Sequence, residues 1–384
     1  MTARAVAAVC GALVAGVVLA GCASRGAAIG GARGEPVRVM LRPGDPLPTL
    51  GPDARIDLGL RDAAAALASA VTTPDARLDP ESVRLALGRA GYPGDAHFVR
   101  TVAGADPPQE LLDALPRGVP LDVGWAWRDL PDGRRWWVLG WARRLAQIDP
   151  MPRDLPLDGS FPLRVDGLDA PRLLLASPDL AVVELSLTDG RARWVDRFSV
   201  PGEHRVEVVD GDRVAFAFSV YVDGPPPAVP ALSSPHPPEP VERAESRAYA
   251  LVDGLRARAG LPQLARYGTF VPHVRAHATC LATSGVIGHA TASCPGVPSL
   301  AARTHHPTAS HREDVAAGES AEEAFERLVQ SPGHLANLLC VDCTHLVVGG
   351  AAHGDRVILV WELLRFPSGE PRPLPGTGMG VRPR

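Results

Sequence analysis

Across 384 residues, 46% hydrophobic side chains and a net charge of −4 describe a chain long enough for two or three folded domains, with no excess of positive charge to meet a polyanion. Nucleic acid is therefore not an expected partner. No lysine occurs anywhere, so every basic group is arginine or histidine, which excludes a lysine Schiff base and a lysine-dependent phosphate loop.

The chain opens with Arg4, an apolar run from Ala5 to Ala20, and then Leu19-Ala20-Gly21-Cys22. The run is too short for a comfortable membrane span and reads as a signal peptide over residues 1–21 that ends in a lipobox. Cys22 is then the acylated first residue of the mature chain. Several acyl chains, at about 0.8 kcal/mol per buried CH₂, make a stable membrane anchor. The alternative is an ordinary cleaved signal with an incidental cysteine. An exported, envelope-anchored protein is expected, and outer-membrane sorting in a two-membrane cell, since Ala23 and Ser24 place no aspartate after the cysteine.

A small-residue tether covers 22–46, and an N-terminal α+β domain is expected over 47–150. Within it, Ile56 to Val71 reads as an alanine-rich helix and Pro80 to Ala90 as a second one ending at Gly91. Two strands follow, Leu121 to Trp127 and Arg135 to Arg144, joined through the turn sequence Pro131-Asp132-Gly133. Trp125, Trp127, Trp136, Trp137 and Trp141 along them read as core and cross-strand pairs rather than a sugar-stacking platform. Residues 151–223 carry short, closely spaced strands, with Asp210-Gly211 as a hairpin turn, and suggest a small antiparallel sandwich. Residues 224–241 form a linker with eight prolines in the seventeen residues from Gly224 to Pro240. As polyproline II it would reach about 50 Å at about 3.1 Å per residue, holding the C-terminal domain off its neighbours.

That last domain, 242–366, opens with a helix from Glu242 to Ala259 and continues with one from Val271 to Thr283. His273 and His277 are spaced i, i+4 like a metal pair, yet His277 falls on the apolar face, so a core histidine is the preferred reading. His305, His306 and His311 read as a solvated loop before Glu313. Ser320 and Glu323 make a capping box that starts a helix near Ala321, with Ala321, Phe325, Leu328 and Val329 on its buried face. Ser331 then caps a second helix with Pro332 at its first position, which fixes His334 in the first turn. Residues 367–384 read as a disordered tail.

Cys10 leaves with the signal, and Cys280, Cys294, Cys340 and Cys343 remain as an even set in an exported domain. Two disulfides are expected, Cys280–Cys294 and Cys340–Cys343 on proximity. A zinc site would need two separated Cys-x-x-Cys knuckles, and a redox dithiol a thioredoxin-like context; neither is present.

Together, Glu313-Asp314-Val315-Ala316-Ala317-Gly318, the acidic amphipathic helix, Ser331-Pro332-Gly333-His334 with Asn337 and Leu338-Leu339, and Val347 to Ala351 resemble the CAP superfamily (SCP domain) of secreted bacterial proteins. Ile287-Gly288-His289 matches its upstream histidine motif. The resemblance implies an α-β-α sandwich, and a degenerate second copy at the N-terminus is one reading of the two similar Val-Gly hairpins; unrelated hairpins are the other. It implies a cavity of two histidines and two glutamates: His289, Glu313, His334, and a second glutamate left between Glu323 and Glu326. Such a group could hold Zn²⁺ through His289 and His334, with Glu313 as candidate base, or act as a metal-free acid–base cluster. Glu313 and His334 bracing the loops is the alternative. Arg312 and Asp314 replace the family's glycine and asparagine and set a charged pair beside Glu313, and Leu328 stands for a tryptophan.

No His-Glu-x-x-His or Gly-x-Ser-x-Gly segment occurs. The expected function is a noncatalytic envelope module that binds a lipid-like ligand or an envelope protein, ahead of a metal-assisted peptidase or phosphoesterase or a purely structural lipoprotein. Oligomeric state is not encoded in any motif.

Overall fold

The computed structural model describes residues 53–94, 96–104, 109–148, 152–187, 191–192, 198–211, 213–232, 234–235, 237–285, 287–289, 293–296 and 310–366. Cys22 with its signal and tether, His305 and His306, and the C-terminal tail lie outside these residues. The described chain mixes helices and sheets, as an α+β class requires. No described helix is long and apolar enough to cross a membrane.

The first part contains β1 (Ala54–Ile56), α1 (Leu58–Ala70), α2 (Pro80–Ala90), β2 (His97–Ala103), α3 (Gln109–Asp113), β3 (Leu121–Asp129) and β4 (Arg135–Arg143). Asp57 caps α1 by accepting from Leu60 N at 3.1 Å, and Asp79 caps α2 by accepting from Ser82 N at 2.8 Å. Gly91 ends α2 at φ +66°, a left-handed conformation that glycine adopts without penalty. The alanines of α1 pack with Leu67 on Trp136 and Val138 of the sheet. Trp127 and Trp137 are register partners with ring centroids 5.0 Å apart, and Trp136 is fully buried.

The middle part holds β5 (Gln147–Ile148), β6 (Asp154–Leu155), β7 (Leu163–Asp166), β8 (Pro171–Ala176), β9 (Val182–Ser186), β10 (Arg191–Ala192), β11 (Gly202–Asp210) and β12 (Arg213–Val222). They form a five-stranded sheet ordered β6-β12-β11-β8-β9 and a three-stranded one ordered β10-β7-β5. Inward residues of both, among them Leu163, Val165, Leu173, Val208 and Phe216, share one core.

In the last part, α4 (Val241–Arg258), β13 (Ala265–Arg266), α5 (Val271–Ser284), β14 (Ser310–Gly318), α6 (Ala321–Val329), α7 (Pro332–Leu338), β15 (His345–His353) and β16 (Arg356–Arg365) build a sheet ordered β13-β15-β16-β14. One sheet face packs on α5 and the other on α4, α6 and α7, which gives two separate cores. The first and last sheets share one plan: a short strand parallel to the first hairpin strand, the hairpin itself, and an antiparallel strand on the far edge. The likeness reaches the glycine at which helix and sheet touch. A Cβ on Gly124 would meet the α1 backbone at 2.2 Å, and one on Gly349 the α5 backbone at 2.5 Å.

The proline-rich segment does not act as a free spacer. Leu232 is 1% exposed in the N-terminal core, its N–H donates to Ala70 O at 2.9 Å, and its carbonyl accepts from Thr72 Oγ1 at 2.8 Å. Farther on, Glu239 N donates to Glu319 O at 2.8 Å, and Glu239 Oε2 accepts from Ala321 N at 3.0 Å. A segment rich in proline still offers carbonyls and one leucine, and burying these outweighs staying extended in water. Arg77 of the first part adds ion pairs at 3.0 Å to both Glu319 and Glu323.

Candidate functional site

Strand periodicity decides which residues meet. Along β14, successive side chains alternate faces, so Val315 and Ala317 join the core under α5 while Ala316 joins the opposite one. His311 and Glu313 share the α5 face. His311 is thus a strand residue and not part of a solvated loop, because its backbone pairs with Leu364 across the ladder. The same alternation turns Arg312 and Asp314 away from Glu313. Arg312 lies 3.8 Å from Asp342, and fully buried Asp314 accepts from Asn337 Nδ2 at 2.9 Å, so the charged pair expected beside Glu313 does not form.

Glu313 is the hub. His289 Nδ1 is hydrogen-bonded to Glu313 Oε1 at 2.9 Å, and His277 Nε2 from the buried face of α5 lies 3.5 Å from Glu313 Oε2. Directly opposite in the register stands Glu362, fully buried on β16, with His311 Nε2 in contact with its Oε2. Burial, and then the neighbouring Glu313 carboxylate, push the Glu362 carboxyl well above its usual range, so it is the protonated member of the pair. Burial would raise Glu313 too, yet His289, Glu362 and His277 together hold it below the ordinary value. His277 and His311 are both driven toward the neutral form, first by burial. Asp314 is pushed up to about 8, first by burial and then by the Glu313 charge, against the opposing Asn337 bond.

His334 enters from the other side. Ser331 Oγ accepts from His334 N at 3.3 Å, which is the cap that fixes the first turn of α7. Glu207 of the middle part accepts from Gly333 N at 3.1 Å, placing a carboxylate at the same helix start, where the helix dipole favours it. The His334 ring centroid lies 6.1 Å from that of His289. Burial, then the proximity of His289, lower its imidazole to about 4, so it is neutral. His334 also lines a groove of about 360 Å³ with Val83, Leu87, Val206, Phe218 and Arg205.

Neither sequence candidate for the second glutamate joins this group. Glu323 accepts from Glu319 N at 3.1 Å and pairs with Arg77, and Glu326 lies 3.9 Å from Arg205. Both face the neighbouring parts because α6 turns its apolar stripe of Ala321, Ala324, Phe325 and Leu328 to the sheet. The second carboxylate beside Glu313 is Glu362, which sequence reasoning missed. Its signal was available: one ionisable residue in the apolar run from Val357 to Leu364. The four cysteines form the disulfides Cys280–Cys294 and Cys340–Cys343. The grouping of Cys340, Asp342 and Cys343 consequently offers no thiolate to a metal.

Chemically, the site gathers a carboxylate, a protonated carboxyl and the imidazoles of His277, His289 and His311, with the His334 ring next to that of His289. It can donate and accept hydrogen bonds or ligate a cation through nitrogen and oxygen.

No family model matches the chain, and no curated protein matches it. Among solved structures it is similar to an extracellular protein containing an SCP domain from Bacillus anthracis, at 20% identity and a TM-score of 0.30 over 33% of this chain and 41% of that one. It is also similar to an outer surface protein from Borrelia burgdorferi, at 18% identity and a TM-score of 0.31 over 34% of this chain and 97% of that one. A cysteine-rich secretory protein from Staphylococcus aureus shares 12% identity and a TM-score of 0.28 over 65% of this chain and 85% of that one. The chain thus spans less than half the length of the Bacillus protein.

Proposed function

We propose that this chain is an exported, lipid-anchored module of the CAP type that binds a small amphipathic ligand without transforming it. The observation that carries the reading is the position of His334: its ring lies 6.1 Å from His289, which bonds Glu313, and the same residue lines the apolar-walled groove of about 360 Å³. A ligand body would lie on Val83, Leu87, Val206 and Phe218, and its polar head would meet the neutral His334 and the Glu313 cluster. Neither the serines that cap the two helices nor the cysteines of the domain offer a free nucleophile. Ser320 and Ser331 cap helices, and the cysteines are oxidised. Cys22 would supply the membrane tether.

The competing reading, a metal-assisted hydrolase with Glu313 as base, draws on the carboxylate and imidazole cluster; it requires turnover of peptide or phosphoester substrates that stops in Glu313→Gln. For the binding reading, cis-parinaric acid fluorescence titrated with the full chain should saturate. Affinity should fall at least tenfold in Leu87→Trp, which fills the groove, and in His334→Ala. Unsaturable fluorescence, or wild-type affinity in both variants, contradicts the reading.

A further inference from the structure

The pair formed by Glu313 and Glu362 is unusual on physical grounds alone. Two carboxyls directly opposite each other in an antiparallel ladder cannot both be charged without cost, and these two meet inside the sheet's α5 face with no ion pair to an arginine among the described residues, the metal-free chain keeping Glu362 protonated. Their neighbours are histidines, which are neutral when buried. His311 stands two residues before Glu313 on the same strand face, so its imidazole and the two carboxylates converge. One ligand atom from each of His311, Glu313 and Glu362 lies within 4.8 Å of the others. Ligands about 2.0–2.2 Å from a tetrahedral zinc ion sit about 3.3–3.6 Å apart, so a modest contraction about an ion would bring all three into place.

We propose that His311, Glu313 and Glu362 form a divalent-cation site, with Zn²⁺ its best-fitting ion. This set is separate from the His289 and His334 pair that the family resemblance suggests. One imidazole with two carboxylates suits first-row ions, with Zn²⁺ ahead of Mn²⁺ and little affinity for Ca²⁺, which takes six to eight oxygens. The ion supplies the positive charge that the buried pair lacks. On binding, Glu362 gives up its proton to solvent. His277 and His289, each beside Glu313, then serve to orient that ligand.

The test is calorimetric Zn²⁺ titration of the full chain after chelator treatment and removal of the chelator, together with the Tm shift on adding one equivalent. Wild type should bind about one equivalent and rise in Tm. Glu362→Gln and His311→Asn should each weaken Zn²⁺ at least a hundredfold and lose the Tm shift. His334→Ala, which removes a ring that bonds none of the three ligands, should keep both. Glu362→Gln is isosteric, and His311 is partly exposed, so one variant reports if the other does not fold; saturable cis-parinaric acid binding confirms the fold of each. No Zn²⁺ binding in wild type overturns the proposal, as does binding unchanged in Glu362→Gln or His311→Asn, or binding lost only in His334→Ala. Fatty-acid binding that survives loss of the metal leaves the proposed function standing.

Discussion

At the scale of single residues, His334 makes a prediction that needs no ligand. Its imidazole is held at about 4 against an ordinary value near 6.5, so the unfolded chain takes up a proton at a pH where the folded chain does not. The stability tied to this neutral ring is complete above about pH 6.5 and is lost as pH falls toward 4, by on the order of 3 kcal/mol. In metal-free protein, the denaturation midpoint of wild type should drop more between pH 7.5 and 4.5 than that of His334→Gln; equal drops would contradict the assignment. His289, Glu313 and His334 were legible in the sequence because each sits in a local motif, and for His334 a serine cap and a proline fix the helix turn. Glu362 and His311 were not legible. Their meeting depends on register between strands about fifty residues apart, which no local spacing encodes. The charges flanking Glu313 misled for a related reason: adjacency along a strand means opposite faces.

Among the elements, helices were read well where caps and periodicity agreed. Pro80–Ala90 appears with the expected bounds, and Ser331 caps the helix that carries His334. The capping box is only half formed, since Ser320 accepts from Glu323 N while the Glu323 carboxylate reaches Glu319 N rather than the cap residue. Glycines distinguish the sheets from the helices. Gly124→Ala and Gly349→Ala each force a methyl against helix backbone and should lower stability by about 1–3 kcal/mol or more. Gly254, inside α4 with open space where a Cβ would stand, should instead gain about 0.5–1 kcal/mol as alanine. Chemical denaturation of the three variants checks the signs, and destabilisation by Gly254→Ala or neutrality at Gly349 would contradict the packing described. The equal placement of Gly124 and Gly349 in two sheets of one plan was hinted at by the paired Val-Gly hairpins. The parallel first strand could not be foreseen, since β1 and β13 are only three and two residues long.

Across the molecule from residue 53 onward, the proline-rich segment is the feature that composition misjudged. Composition describes how a segment behaves alone, whereas Leu232 finds a closed site beside α1 and Glu239 finds the start of α6. Leu232→Ala should cost about 2–5 kcal/mol, as a buried leucine does when its cavity is left open, and Tm should fall accordingly. An unchanged Tm would return the segment to the role of a spacer. The packing also sets the walls of the groove, because α2 supplies Val83 and Leu87, β11 and β12 supply Val206 and Phe218, and α7 supplies His334. No single part holds all of it. The central claim is that a ligand in this groove reaches the histidine cluster, and imidazole NMR of the full chain titrated with palmitate tests it most directly. The account predicts saturable shifts of the His334 and His289 ring resonances with exposed His97 and His353 unmoved; saturation with no shift at His334, or equal small shifts at every histidine, would contradict it.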